Sequence, residues 1–151
     1  DLLDKEFALL VDHKFNKGLG ESLKINTKAT HHGFKAMQIT LSSLSADVMM
    51  NTNAASLHSR PTESFNQDKV SMGTTAALHF AKQIPDLSNM LSIALLGMAQ
   101  AVDLRGKKNC SSFLQKNHTN IRKHVDKLEY DRRMDKDIKI VYKLLEQGVF
   151  A

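Results

Sequence analysis

The chain has no tryptophan, one cysteine and two prolines among its 151 residues. Cys110 has no second thiol to pair with, so no internal disulfide can hold the fold. No positively charged, apolar leader opens the chain, and a reducing, cytoplasmic setting is expected. In that setting Asn109-Cys110-Ser111 and Asn117-His118-Thr119 fit the glycosylation pattern by chance. No uncharged stretch approaches the roughly 20 residues that span a bilayer, so no membrane partner is expected. The seven histidines make no pair at the four-residue helical spacing that zinc sites favour, and HExxH and CxxC are both missing, so no metal is expected. There is no GxSxG and no glycine-rich phosphate loop behind a strand, and none of the many serines is marked as a nucleophile.

What is present reads as one helical segment over residues 1–151. Hydrophobic residues make up 42% and charged residues 25%, the balance of a globular helical protein and not of a disordered tail. A chain of this size can bury roughly two thirds of its unfolded surface. It opens on Asp1 and not on methionine, as expected of a processed or truncated piece. The net charge of +5 is unevenly spread: twelve Lys and Arg against five Asp and Glu lie between Arg105 and Lys143. Such a face could draw nucleic acid, but without interleaved aromatics or a nucleic-acid motif a solvated helical face is the expectation.

Periodicity locates the helices. Asp4 to Val11 carries Phe7, Leu9, Leu10 and Val11, and Asn16 to Gly20 reads as a loop. Between Thr30 and Met50 the residues Phe34, Met37, Leu41, Leu44 and Val48 recur at alternating spacings of three and four, the seam of a long helix packed in a bundle. Asn51 to Ser64 contains Pro61 and reads as a loop or broken crossing. A helix is expected from about Lys69 to Gln83, and another from Pro85 to Leu104 with proline at its first position. The second of these is apolar nearly all round, which calls for burial by other subunits or by further chain. Arg105-Gly106 ends it. Ser112 to Leu128 and Asp135 to Gln147 are the last helices, with Gly148 as the stop. No strand signal appears.

Ahead of the Lys69 helix stands Thr62-Glu63-Ser64-Phe65-Asn66-Gln67-Asp68. Asp68 or Asn66 could cap that helix by accepting from a first-turn N–H. Alternatively, Glu63 and Gln67 stand four apart and on a helix would share a face, where a carboxylate could hold an ammonium group and an amide could address its neighbour. The two readings are compatible.

Several stretches resemble the aromatic amino acid ammonia-lyase family, which includes histidine, phenylalanine and tyrosine ammonia-lyases and related aminomutases. His31 to Thr40, HHGFKAMQIT, is similar to the GFK-type helix of the phenylalanine enzymes. Glu63 to Gly73, ESFNQDKVSMG, resembles their EQHNQD element joined to the VSMG of the histidine enzymes. Ser92 to Gly106 resembles the AxQAxDLR helix, Tyr130 to Phe150 the closing EDRxLxxDI segment, and Leu10 to Leu23 the LLDPxLSGLPxFL stretch. The matches keep their order over nearly the whole chain.

The resemblance implies an all-α fold, the C-terminal part of a long-helix bundle of the fumarase/aspartase type. It implies an enzyme that eliminates ammonia from an aromatic amino acid through a methylidene-imidazolone electrophile, self-generated from Ala-Ser-Gly. That triplet is absent here; Ala55-Ser56-Leu57 comes nearest and lacks the glycine. The electrophile and base are therefore expected in a preceding N-terminal part, with no catalytic residue in this segment and no activity from it alone. By the same resemblance Phe34, Glu63 and Gln67 line the substrate, Asn66 and Asp68 support the turn, and the protein is a homotetramer. The histidine enzymes carry glutamate at the Gln67 position, so the amide leans toward a phenylalanine-like or tyrosine-like substrate. Phe65, where the phenylalanine enzymes have histidine, and Pro61 depart from the pattern. The alternative is a helical assembly module that has lost the chemistry, with a basic nucleic-acid binder as a third reading.

Overall fold

The computed structural model describes residues 1–150; Ala151, the final residue of the expected segment, lies outside the described residues. Among them are five α-helices and no strand: α1 Leu2–Val11, α2 Lys35–Met50, α3 Gly73–Arg105, α4 Ser112–Arg122 and α5 Asp135–Glu146. The all-α expectation holds. α3 is the central rod, and all four other helices pack on it.

The alternating seam of α2 works as its spacing predicts. Met37 and Leu41 are buried, Leu44 and Val48 pack against the core from its edge, and Phe34 closes the start of the helix. Phe34 meets Phe7 of α1 in a tilted pair, ring centroids 6.5 Å apart. Phe7 in turn reaches α3 at Gly97. A Cβ placed on Gly97 would overlap the edge of the Phe7 ring, so glycine lets the two helices approach. Phe7 and Phe34 are both buried, so the ring must shift for a methyl group to fit. Gly97→Ala is therefore expected to cost about 1–3 kcal/mol through overpacking. Thermal denaturation checks this, and an unchanged melting temperature would show that the contact relaxes freely.

The structure corrects the helix boundaries in two places. The expected pair of helices, Lys69 to Gln83 and Pro85 to Leu104, is one helix of 33 residues that runs through Pro85. An interior proline removes one backbone hydrogen bond and crowds the carbonyl four residues back, at a cost of about 3 kcal/mol. Strong helix formers precede it at Ala76, Ala77, Ala81, Lys82 and Gln83, and the core locks the helix downstream through Met90, Ile93, Ala94, Leu96 and Ala99. α4 is the second correction. It ends at Arg122 and not at Leu128, and the chain turns so that Val125 and Leu128 enter the core separately.

The all-round apolar character of α3 is only partly satisfied within this chain. Leu78, Phe80, Ile84, Leu87, Leu91 and Met98 remain exposed. By length and composition α3 could also cross a bilayer. Here Met90, Ser92, Ile93, Ala94, Leu96, Gly97, Ala99 and Gln100 are buried in the bundle.

Candidate functional site

The 62–68 stretch is neither helix nor helix cap. Glu63, Ser64 and Phe65 follow one another at φ 53°, 53° and 68°, three residues in the left-handed region without a glycine among them. The tight reversal is closed by a two-way backbone pairing. Thr62 N–H donates to Gln67 O at 3.0 Å and Gln67 N–H returns to Thr62 O at 3.3 Å. Asn66 N–H donates to Glu63 O at 3.0 Å inside it. The side chains are engaged locally: Thr62 Oγ1 donates to Gln67 Oε1 at 3.3 Å and Asn66 Nδ2 to Glu63 Oε2 at 3.5 Å.

The capping reading of Asp68 and Asn66 is thereby corrected. α3 starts at Gly73, and the residue before it, Met72, is itself left-handed with no side-chain cap. The shared helical face of Glu63 and Gln67 is corrected as well. They are close because the turn doubles back, not because a helix brings them round. Asn66 does support the turn, through its backbone and its side chain.

The five residues singled out from the sequence fall into two environments. Glu63, Asn66, Gln67 and Asp68 are exposed, and Phe65 at the tip is exposed too. Phe34 is 1% exposed and faces Phe7, so within this chain its ring is a core residue with no free face. A cleft of ≈ 200 Å³ lies between the end of α2 and the start of α3, lined by Met50, Asn51, His58, Met72, Thr75 and His79 among others. None of the four polar turn residues lines it. The turn thus presents a carboxylate and an amide outward, and any enclosing wall must come from elsewhere.

Sequence reasoning read the AQAVDLR stretch, Ala99 to Arg105, as an apolar helix and missed its polar residues. Gln100 is fully buried and spans two loops: Nε2 donates to Leu23 O at 3.2 Å and Leu128 O at 3.1 Å, and Oε1 accepts from Leu128 N–H at 3.0 Å. Asp103 holds α4, accepting from Arg122 Nη2 at 2.7 Å and meeting His118 Nε2 at 2.6 Å. Arg105 donates to the carbonyls of Asn16 at 3.0 Å and Lys17 at 3.2 Å, gripping the loop after α1. Their spacing of three, then two, was the available signal. It placed three polar or charged groups within a run that is otherwise apolar.

Asp131 plays the same part at the start of α2. Its carboxylate accepts from the backbone N–H groups of His32 at 2.8 Å and Gly33 at 3.0 Å, and His32 Nδ1 lies 3.2 Å away. Burial works to raise its pKa, but the two backbone donors and the His32 imidazole outweigh it and hold the carboxyl below the ordinary aspartate value. A depressed folded pKa contributes stability that is present above the unfolded value, near 4, and is lost as pH falls through the folded one. Asp131→Asn is therefore expected to flatten the loss of stability below about pH 4. Melting curves of the two proteins from pH 7 to pH 3 check this; parallel curves would contradict it.

The arginines of the basic third are tied up within the chain, although the stretch keeps its excess of positive charge. Arg122 pairs with Asp103, Arg132 with Asp137 and Arg133 with Asp135, while Arg105 is taken up by carbonyls.

Comparison with known proteins agrees with the architecture. The family model described as aromatic amino acid lyase matches residues 1–125. The tyrosine ammonia-lyase of Cereibacter sphaeroides is 34% identical over 140 residues, covering 91% of this chain and 27% of the relative. A histidine ammonia-lyase of Burkholderia ambifaria is 33% identical over 150 residues, covering 99% of this chain and 29% of the relative. The crystal structure of a tyrosine aminomutase from Streptomyces globisporus superposes with a TM-score of 0.92 at 29% identity, covering 99% of this chain and 28% of that one. The chain thus spans about a quarter of the length of the curated relatives it matches. With the fold, the ordered motifs and the family match in agreement, the chain belongs to the aromatic amino acid lyase family.

Proposed function

We propose that the chain forms the C-terminal helical part of an ammonia-lyase acting on an aromatic amino acid, and that the turn at Thr62–Gln67 lends Glu63 and Gln67 to its substrate pocket. The observation that carries this is the exposure of a carboxylate and an amide on one short turn, in a chain whose relatives include ammonia-lyases. In this reading Glu63 receives the substrate ammonium and Gln67 hydrogen-bonds beside it, both exposed in this chain and enclosed by the rest of the protein.

The methylidene-imidazolone electrophile has no place in these residues. The nearest triplet, Ala55-Ser56-Leu57, sits in a 3-10 turn with Leu57 where a cyclising glycine is needed. The group belongs, in this proposal, to the part of the protein that precedes this chain. The 151 residues alone are therefore expected to release no ammonia. Partner subunits that cover Leu78, Phe80, Ile84 and Leu87 belong to the same proposal, in a cytoplasmic homotetramer.

The test is ammonia release from phenylalanine, tyrosine and histidine by the protein that includes the residues ahead of Asp1. Turnover of an aromatic amino acid supports the proposal. A folded protein inert toward all three would favour the assembly-module reading.

A further inference from the structure

The geometry that sets Glu63 and Gln67 side by side is not one that the tip chooses locally. Three successive non-glycine residues in the left-handed region, Glu63, Ser64 and Phe65, cost free energy, so contacts outside them have to hold the turn. One is the Thr62–Gln67 backbone pair, which joins the two arms of the loop only at their upper end. The other is made by a side chain three residues further out on each arm. Ser59 Oγ accepts from Val70 N–H at 2.8 Å. Among the described residues no other hydrogen bond joins residues 59–61 to residues 68–70.

Ser59 is itself tied to the body of the fold. Its N–H donates to Ser56 O at 3.2 Å, within the 3-10 turn Ala55–His58, and that turn packs on α3. Val70 leads within three residues to Gly73, where α3 begins. One hydroxyl therefore fastens both arms of the loop to the same helix. Ser59 and Val70 are half-buried already in this chain, and further chain around the turn buries them more. Withdrawal from water raises the dependence on the bond, because its loss then leaves a donor unpaired.

We propose that Ser59 is the positioning residue of the candidate site: through Val70 it fixes the base from which Glu63 and Gln67 are aimed at the substrate. It touches no substrate itself. The inference rests on the pocket assignment of Glu63 and Gln67 and adds the residue that holds them in register.

Steady-state kinetics and melting curves of the protein containing the residues ahead of Asp1 test it. Ser59→Ala is expected to lower kcat/KM for the aromatic amino acid about tenfold, since small misplacements of binding groups are costly, while the melting temperature moves by no more than about two degrees. Ser59→Thr keeps the hydroxyl and should stay within about twofold of the unsubstituted protein. In a Glu63→Ala background the same Ser59→Ala change should cost about threefold or less, because most of what it misplaces is already gone. Unchanged kcat/KM in Ser59→Ala would overturn the role, as would a threonine variant as poor as alanine. A full tenfold loss repeated in the Glu63→Ala background, or a melting temperature that falls in step with activity, would return Ser59 to general support of the fold. An unsubstituted protein inert toward every aromatic amino acid would instead strike at the pocket assignment, and this role would fall with it.

Discussion

Gln100→Leu is expected to destabilise the chain by about 3 kcal/mol, although leucine matches glutamine in size and suits an apolar interior. Gln100 is fully buried on α3, and its amide is the shared partner of two backbone segments that arrive from opposite ends of the sequence. Substitution leaves Leu128 N–H and the carbonyls of Leu23 and Leu128 without that partner. Each buried polar group left unpaired costs roughly 1–3 kcal/mol, and the apolar gain of leucine offsets part of the sum. Leu23 and Leu128 are themselves core residues, so loosening their backbones loosens the packing around Phe34 and Ile121. A fall in melting temperature of roughly 10 °C would follow for a chain of this length. A fall of a degree or two would show that water or a shifted backbone satisfies the groups instead.

The second large effect lies three residues further along. Asp103→Ala is expected to cost about 2–3 kcal/mol, because it strands Arg122 and His118, whose side chains are only 16% and 10% exposed. Arg122 keeps only the carbonyl of Val125, at 3.2 Å. His118 also carries a buried Nδ1 without a partner, so losing the Nε2 contact leaves both of its nitrogens unsatisfied. The charge pair makes a sharper test than the single change. Removing both partners, as Asp103→Leu with Arg122→Met, should be less damaging than Asp103→Ala alone, since no charge is then left without a counter-charge. A double variant as unstable as the sum of its parts would contradict the pairing.

These two residues show what was legible in the sequence and what was not. α1, α2 and α5 could be read because their apolar spacing is set locally: Phe34, Met37 and Leu41 repeat as a buried face must, and the core contains all three. Pro85 misled because a proline at a helix start and one in a helix interior look alike to a short window. What keeps α3 continuous is packing against other helices, which no local pattern encodes. The end of α4 was invisible for a related reason. Leu128 leaves the helix to meet Gln100, a partner 28 residues away. The turn at Glu63–Phe65 was the hardest, since its left-handed run uses no glycine or asparagine to announce it. Its residue types were legible as possible ligand groups, while their geometry was not, and the assumption of a helix put Glu63 and Gln67 on a face that does not exist.

The division between supporting residues and presented residues is the account's central claim. Gln100, Asp103, Arg105 and Asp131 are tied inward and hold the bundle, whereas Glu63 and Gln67 sit on an exposed turn that the fold does not need. Measured side by side on the protein containing the residues ahead of Asp1, turnover of an aromatic amino acid and the melting temperature of Glu63→Ala test it most directly. Turnover is expected to fall about a hundredfold, equivalent to roughly 2.7 kcal/mol of lost transition-state stabilisation, with the melting temperature within about a degree of the unsubstituted protein. Equal losses of turnover and stability, or unchanged turnover, would contradict it.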